Sequence, residues 1–225
     1  MQSLIEKENL IFDILQRFID AGLDFVVVGG YAVSAFKHRF SVDADIVIQS
    51  KDLAGYESIL TKWGFIKATE KNLENIYSSR FIRYKQAIAS VDILINALAS
   101  RSTGASFSFR LLLAHSNKKK IIGIEKAVLA RVPSKELLII MKLHAGRLTD
   151  FRDIAALAKG TNLATIKKFL FIGDLKVLQE NLDKLKAVVN DKHFIDSFKG
   201  VFIEKKFDID IKQVRQISML KAPAN

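Results

Sequence analysis

The stretch from Phe25 to Ile48, FVVVGGYAVSAFKHRFSVDADIVI, constrains this chain more than any other. The four-residue apolar run Phe25–Val28, bounded by Asp24 and Gly29, suits a buried strand. Gly29-Gly30 then predicts a tight turn and 31–37 a short helix, followed by a second strand over 44–48. Asp43 and Asp45, two residues apart at the start of that strand, project to one face about 6.6 Å apart along it. Two carboxylates so placed can close on a divalent cation. A third, Asp92, lies in the apolar run VDILI, where a bare carboxylate is costly unless something compensates it. A metal shared with Asp43 and Asp45 would compensate all three, and hard oxygen ligands favour Mg²⁺ or Mn²⁺. For either acid alone a blander reading holds: Asp43 caps a turn, and Asp92 sits at an edge with its head in water. The three together, with the glycine turn upstream, favour metal.

A strand ending in Gly-Gly lets backbone N–H groups approach a phosphate, although many α/β proteins have a glycine there for packing. No GxGxxG and no GxxxxGK[ST] occurs, so neither a Rossmann dinucleotide site nor a Walker-type P-loop is supported. Cysteine is absent, which removes disulfides, thiolate metal sites and Cys nucleophiles. The histidines at 38, 115, 144 and 193 never fall at i,i+4, so a helical zinc motif is excluded as well. The longest apolar run, Leu137–Met141, is too short for a membrane span, and MQSLIEKENL has acids where a signal peptide needs bases. The expectation is a cytoplasmic protein without membrane contact.

Periodicity assigns 3–21 to an amphipathic helix, 52–63 to a second, 78–85 and 87–96 to a hairpin, 102–108 to a loop and 109–115 to a short helix. Strands are expected over 120–124 and 127–132. After Pro133 the period turns helical, beginning at an N-capping Ser134 and broken near Gly160, Gly173 and Gly200. The expected architecture is an α/β domain with a mixed sheet over 1–132 and a mainly helical domain over 133–225. Charge divides along the same line. Residues 1–100 hold 11 Lys and Arg against 12 Asp and Glu; residues 101–225 hold 24 against 12. That excess suits a polyanionic partner such as nucleic acid, or equally a lysine-rich solvated surface. Lys118-Lys119-Lys120 divides in the same way, between a phosphate-backbone contact and a basic β-turn.

The segment VVGGYAVSAFKHRFSVDADIVI resembles the nucleotidyltransferase fold of the DNA polymerase β superfamily, whose signature is an apolar strand, Gly-Gly or Gly-Ser, a helix and Asp-x-Asp on the next strand. A third carboxylate on a later strand matches Asp92. Arg39, Ser41, Asp43 and Asp45 resemble the Arg, Thr, Asp-x-Asp pattern of the AbiEii-type nucleotidyltransferases, many of them toxins of toxin–antitoxin systems, with Ser41 keeping the hydroxyl. PSKELLIIMKLHAGRLTDFRDIAAL resembles that family's later helix, with Lys142, Asp150 and Asp153 at the matching positions.

The resemblance implies an NTP with its triphosphate over Gly29 and Gly30. Asp43 and Asp45 would hold a metal, and Asp92 would complete a second metal position and take a proton from the attacking hydroxyl. Lys142, which interrupts the apolar run LLIIMKL, would meet an NTP phosphate or else snorkel from a helix edge to water. Arg39 would clamp a phosphate, or pair with Asp43 or Asp45. Asp150 and Asp153, with Arg147 and Arg152, read as a supporting polar network, or Asp150 as a helix-capping acid. The implied partners are an NTP and, for a toxin, an antitoxin protein; the positive charge of the second half favours an RNA acceptor such as tRNA. The alternatives are a small hydroxyl compound of the aminoglycoside or lincosamide kind, a protein side chain, or a catalytically silent binding module.

Overall fold

The structure, a computed structural model, describes residues 2–73, 75, 77–199, 202 and 208–222. It contains two compact units, one of residues 1–99 and 107–133, the other of residues 100–106 and 134–225. The segment 100–106, which lies inside the range expected for the first domain, thus clusters with the helical residues. No helix among the described residues is long and apolar enough to cross a membrane.

The first unit opens with helix α1 (Gln2–Asp20), whose apolar stripe Ile11, Ile14, Leu15 and Phe18 is fully buried. Strand β1 (Val26–Val28), the short helix α2 (Gly29–Ser34) and strand β2 (Asp43–Ile48) follow as the apolar runs and glycine turn require. After helix α3 (Leu53–Lys62) come β3 (Ile66–Asn72), β4 (Arg80–Gln86) and β5 (Ala89–Ile95). These strands form a mixed five-stranded sheet in the order β1-β2-β5-β4-β3, in which β2 and β5 are parallel and the other neighbours antiparallel. One face carries Val27, Ala44, Ile46, Ile48, Ile82, Tyr84, Val91, Ile93 and Ile95, all buried. Edge-to-face aromatic pairs tie the helices together: Phe18 meets Tyr56 at 4.8 Å and Phe25 at 5.9 Å between ring centroids, and Phe12 meets Tyr31 at 5.3 Å.

Strand β3 is absent from the sequence expectation, for a physical reason. It is an edge strand with no buried residue, so it shows no apolar alternation. Its place comes from pairing with β4 and from a charge lattice in which Lys67 meets Glu57 at 3.1 Å and Glu70 at 3.2 Å, while Arg80 meets Glu70 at 2.9 Å. The chain continues through the short strands β6 (Ala97–Ala99) and β7 (Ser106–Ser108), helix α4 (Phe109–Ala114) and the hairpin β8 (Ser116–Ile122) and β9 (Ala127–Pro133). The expected loop over 102–108 therefore ends in strand. Lys118, Lys119 and Lys120 lie within β8 and not in a turn, and the Lys119 ammonium sits 4.8 Å over the Phe36 ring.

In the second unit, Ser134 accepts a hydrogen bond from the Leu137 amide and starts helix α5 (Lys135–Ala145). Gly146, with φ +67°, ends it. A β-carbon there would also overlap the Asn181 side chain, which donates to the Leu143 carbonyl at 3.0 Å. Helices α6 (Leu148–Leu157), α7 (Leu163–Leu170), α8 (Leu175–Val189) and α9 (Ile211–Ser218) follow. Asn162, Asp174 and Asp210 cap the last three through side-chain oxygens. The chain breaks at Gly160 and Gly173 as expected, while the break near Gly200 lies outside the described residues.

His144 on α5 is fully buried. Its Nε2 lies 2.9 Å from the Leu170 carbonyl, an acceptor only, so Nε2 carries the proton and Nδ1 accepts from the Thr103 hydroxyl at 2.8 Å. Burial pushes its pKa down to about 4, against a smaller upward pull from the Leu170 carbonyl. The unfolded chain therefore binds a proton near pH 6.5 that the folded chain refuses until about pH 4. Stability from this residue is complete above pH 6.5 and falls as the pH drops from there to 4. Urea unfolding should weaken by about 3 kcal/mol between pH 7 and pH 4 through His144, and His144→Gln should remove that part of the slope.

Candidate active site

Strand register brings one residue from every strand of the sheet into a single row. Val28 pairs with Asp45, Asp45 with Asp92, Asp92 with Arg83, and Arg83 with Thr69. Directly opposed residues share a face, so Asp45, Asp92 and Arg83 stand side by side, with Asp43 one pleat away on the same face. This face is opposite the apolar one. Among the predicted residues, Asp43, Asp45, Asp92, Gly29, Gly30, Arg39 and Ser41 all belong to this unit, whereas Lys142 belongs to the other.

The glycines make room for these side chains. Gly29 has φ +67°, a conformation an L side chain rarely adopts, and a β-carbon there would overlap the Asp45 carboxylate. At Gly30 the space is filled by the Ser41 hydroxyl, with the Arg39 guanidinium 3.4 Å from where the β-carbon would be. The loop between α2 and β2 is held over the turn by its own hydrogen bonds. Ser34 Oγ donates to the Arg39 carbonyl at 2.8 Å, Tyr31 Oη to the Ser41 carbonyl at 3.1 Å, and Ser41 Oγ to the Asp43 carbonyl at 3.1 Å. The absent side chains thus admit Asp45 and Ser41 against the backbone of the turn.

Asp92, with 4% of its side chain exposed, has the compensation that a buried carboxylate requires, and the group that supplies it was missed in the sequence. Arg83 Nε donates to Asp92 Oδ1 at 2.6 Å and Arg83 Nη2 to Asp92 Oδ2, a two-pronged pair. The same Nη2 reaches Asp43 Oδ2 at 3.3 Å. Among the described residues no three acidic or histidine side chains converge as a metal-ligand group. The expectation was that a metal shared with Asp43 and Asp45 would compensate Asp92, or that its head would sit in water; the protein itself supplies compensation through Arg83. A signal was present in the sequence. Counting outward from the turn at 87–88 pairs Gln86 with Ala89 and then Arg83 with Asp92.

Burial pushes the Asp43 carboxyl above the usual carboxylate range, and the nearby Asp92 charge adds to that; Arg83 and Lys7 pull the other way. The hydrogen bonds it donates to Asp92 hold the Arg83 guanidinium charged against its partial burial. Asp43 and Asp45 thus offer hard oxygens on one face, one of them short of compensation, and this donor set fits a divalent cation.

No family model and no curated protein sequence matches this chain. Solved structures do. The antibiotic-resistance factor ANT(2'')-Ia, in its solution structure, superposes with a TM-score of 0.51 at 13% identity, covering 80% of this chain and 94% of that one. A crystal structure of ANT(2'')-Ia in complex with adenylyl-2''-tobramycin gives 0.51 at 12% identity over 78% of this chain and 97% of that one. The chain has the nucleotidyltransferase fold. The lincosamide antibiotic adenylyltransferase LnuA, lincomycin-bound, has a TM-score of 0.46 at 18% identity over 68% of this chain and 98% of that one.

Within the second unit of this nucleotidyltransferase fold, Lys142 neither snorkels nor stands open to a phosphate. Its Nζ lies 2.8 Å from Asp153 Oδ2 and 3.0 Å from Asp150 Oδ1, both fully buried aspartates of α6. Burial alone would lower the lysine pKa, but Asp153 and Asp150 outweigh it and hold it above the ordinary value. Asp150 also accepts from the Arg147 amide at 3.2 Å and from Arg147 Nε at 2.7 Å, which makes it a helix cap and an ion-pair partner at once. Burial would raise its carboxyl, and Arg147 followed by Lys142 instead draws it below the usual range. Removing one member of such a network leaves an uncompensated buried charge. Lys142→Met should cost about 3–5 kcal/mol in urea unfolding, and adding Asp153→Asn should recover part of the loss.

Proposed function

We propose that this chain is a nucleotidyltransferase that moves an NMP from an NTP to a hydroxyl acceptor. The reading rests on one observation above the others: Asp43 and Asp45 project from one face of β2 beside the Gly29-Gly30 turn, in a chain of nucleotidyltransferase fold. Asp43 and Asp45 would hold Mg²⁺ or Mn²⁺, which when bound neutralises phosphate charge and aligns the triphosphate. Gly29, Gly30, Arg39 and Ser41 form the wall against which that triphosphate lies, with the Arg39 guanidinium as its phosphate clamp. Asp92, oriented by the two hydrogen bonds it accepts from Arg83, takes the proton of the attacking hydroxyl. The new bond forms between the acceptor oxygen and the α-phosphorus, the bond to the β-phosphate oxygen breaks, and pyrophosphate leaves. Lys142 organises the second unit through Asp150 and Asp153.

The acceptor in this reading is RNA of tRNA size, and the support is the charge asymmetry: 24 Lys and Arg against 12 Asp and Glu after residue 100. A toxin role of the AbiEii type, in the cytoplasm and with an antitoxin partner, is the corresponding biological setting. A small-molecule acceptor is the second reading, favoured by the adenylyl-2''-tobramycin held by ANT(2'')-Ia.

Incubation with each α-labelled NTP, Mg²⁺ and total RNA, in parallel with an aminoglycoside and lincosamide panel, separates the two. Label should enter tRNA-sized RNA, disappear with EDTA, and fall roughly 10³-fold or more in Asp43→Ala and Asp45→Ala proteins that keep their wild-type melting temperature. Label on a panel compound and none on RNA selects the second reading. Full activity in the Asp43→Ala/Asp45→Ala double variant overturns the reaction itself.

A further inference from the structure

The position of Arg83 bears on how many cations the carboxylate face still needs. Asp43, Asp45 and Asp92 share that face, and all three act electrostatically on Arg83. Arg83 returns one positive charge, and its geometry assigns that charge chiefly to Asp92: the guanidinium fork engages both Asp92 oxygens and then bridges to Asp43. Three things hold the fork there. The β4–β5 register sets Arg83 directly opposite Asp92. The guanidinium lies 5.7 Å from the centroid of the Phe81 ring, two residues back on the same strand. The carboxylate is almost wholly buried, whereas the guanidinium side chain is 34% exposed, so the arginine lies on the solvent side of its partner.

Resting on the metal reading above, we propose that Arg83 is the resident cation of Asp92 and occupies the place of a second metal ion, so that the site takes one divalent ion, at Asp43 and Asp45, and not two. With Asp92 neutralised, the charge left on the face is that of two carboxylates, which one divalent ion balances. This departs from the two-ion arrangement that a third strand carboxylate implies. It also makes Arg83 a positioning residue, fixing the carboxylate that receives the proton.

Direct Mn²⁺ titration, with free ion counted by electron paramagnetic resonance, tests the proposal without reference to activity. Wild type should bind one ion. Arg83→Gln should bind a second, or bind the first at least ten-fold more tightly, because Asp92 then lacks its cation. Arg83→Gln/Asp92→Asn should return to one ion of wild-type affinity, and Arg83→Lys, which keeps the charge and loses the fork, should also bind one. If Arg83→Gln is too unstable to titrate metal-free, its melting temperature with and without Mn²⁺ is the readout, and the rise should exceed that of wild type. Two ions in wild type, an Arg83→Gln titration superimposable on wild type, or equal melting shifts overturn the proposal and leave the metal reading standing. No Mn²⁺ bound by any of the proteins overturns that reading and the proposal with it.

Discussion

A carboxylate in the middle of a buried strand governs the first unit of this chain. Asp92 is flanked by Val91 and Ile93, both without exposure, on a strand with neighbours on both sides. Desolvating a lone carboxylate there would outweigh the gain from burying its apolar neighbours. The fold meets that cost with the fork of Arg83, and the solution works in only one register of β4 against β5. A slip of one residue would place Arg83 on the opposite face and put a charge among the isoleucines. The same register aligns Asp45 beside Asp92 across the parallel pair, so the compensation of one acid and the assembly of the polar face are a single structural event.

The rest of the site depends on close approach. Asp45 lies where a side chain on Gly29 would be, and Ser41 does the same at Gly30. The loop 39–41 is held over the turn by hydrogen bonds from Ser34 and Tyr31, both on α2. Gly-Gly at the end of β1 is therefore required by the acids and hydroxyl of the following strand and loop, whatever ligand the turn later meets. The second unit meets buried charge in two further ways. Lys142 is paired with two buried aspartates, whereas His144, two residues on, is kept neutral by burial between the Leu170 carbonyl and the Thr103 hydroxyl. The lysine that interrupts the apolar run of α5 thus has an internal reason to be there.

At 12–13% identity, the superposition on ANT(2'')-Ia establishes a shared fold and leaves chemistry to the residues. In the proposed reading those residues bear on the nucleotide and not on the acceptor. The paired carboxylates, the glycine turn and Arg39 are all features that would engage an NTP. An RNA acceptor is favoured instead by long-range charge, which attracts any polyanion and carries no pattern of its own.

The sequence alone determined the local elements and the motif. Apolar runs, the Gly-Gly turn, the i,i+2 acids and the Ser134 cap are short-range features, and short-range physics is written in adjacent residues. It was silent on β3, because an exposed edge strand needs no apolar alternation. It pointed to a metal as the partner of Asp92 and to a phosphate or solvent as the partner of Lys142. Only the tertiary structure showed the partners inside the protein, Arg83 across a hairpin from Asp92 and Asp150 and Asp153 on the helix after Lys142. The reason is the same in each case. A buried charge must be neutralised by whatever group the fold brings within about 3 Å, and that proximity is a property of strand register and helix packing that no local pattern encodes.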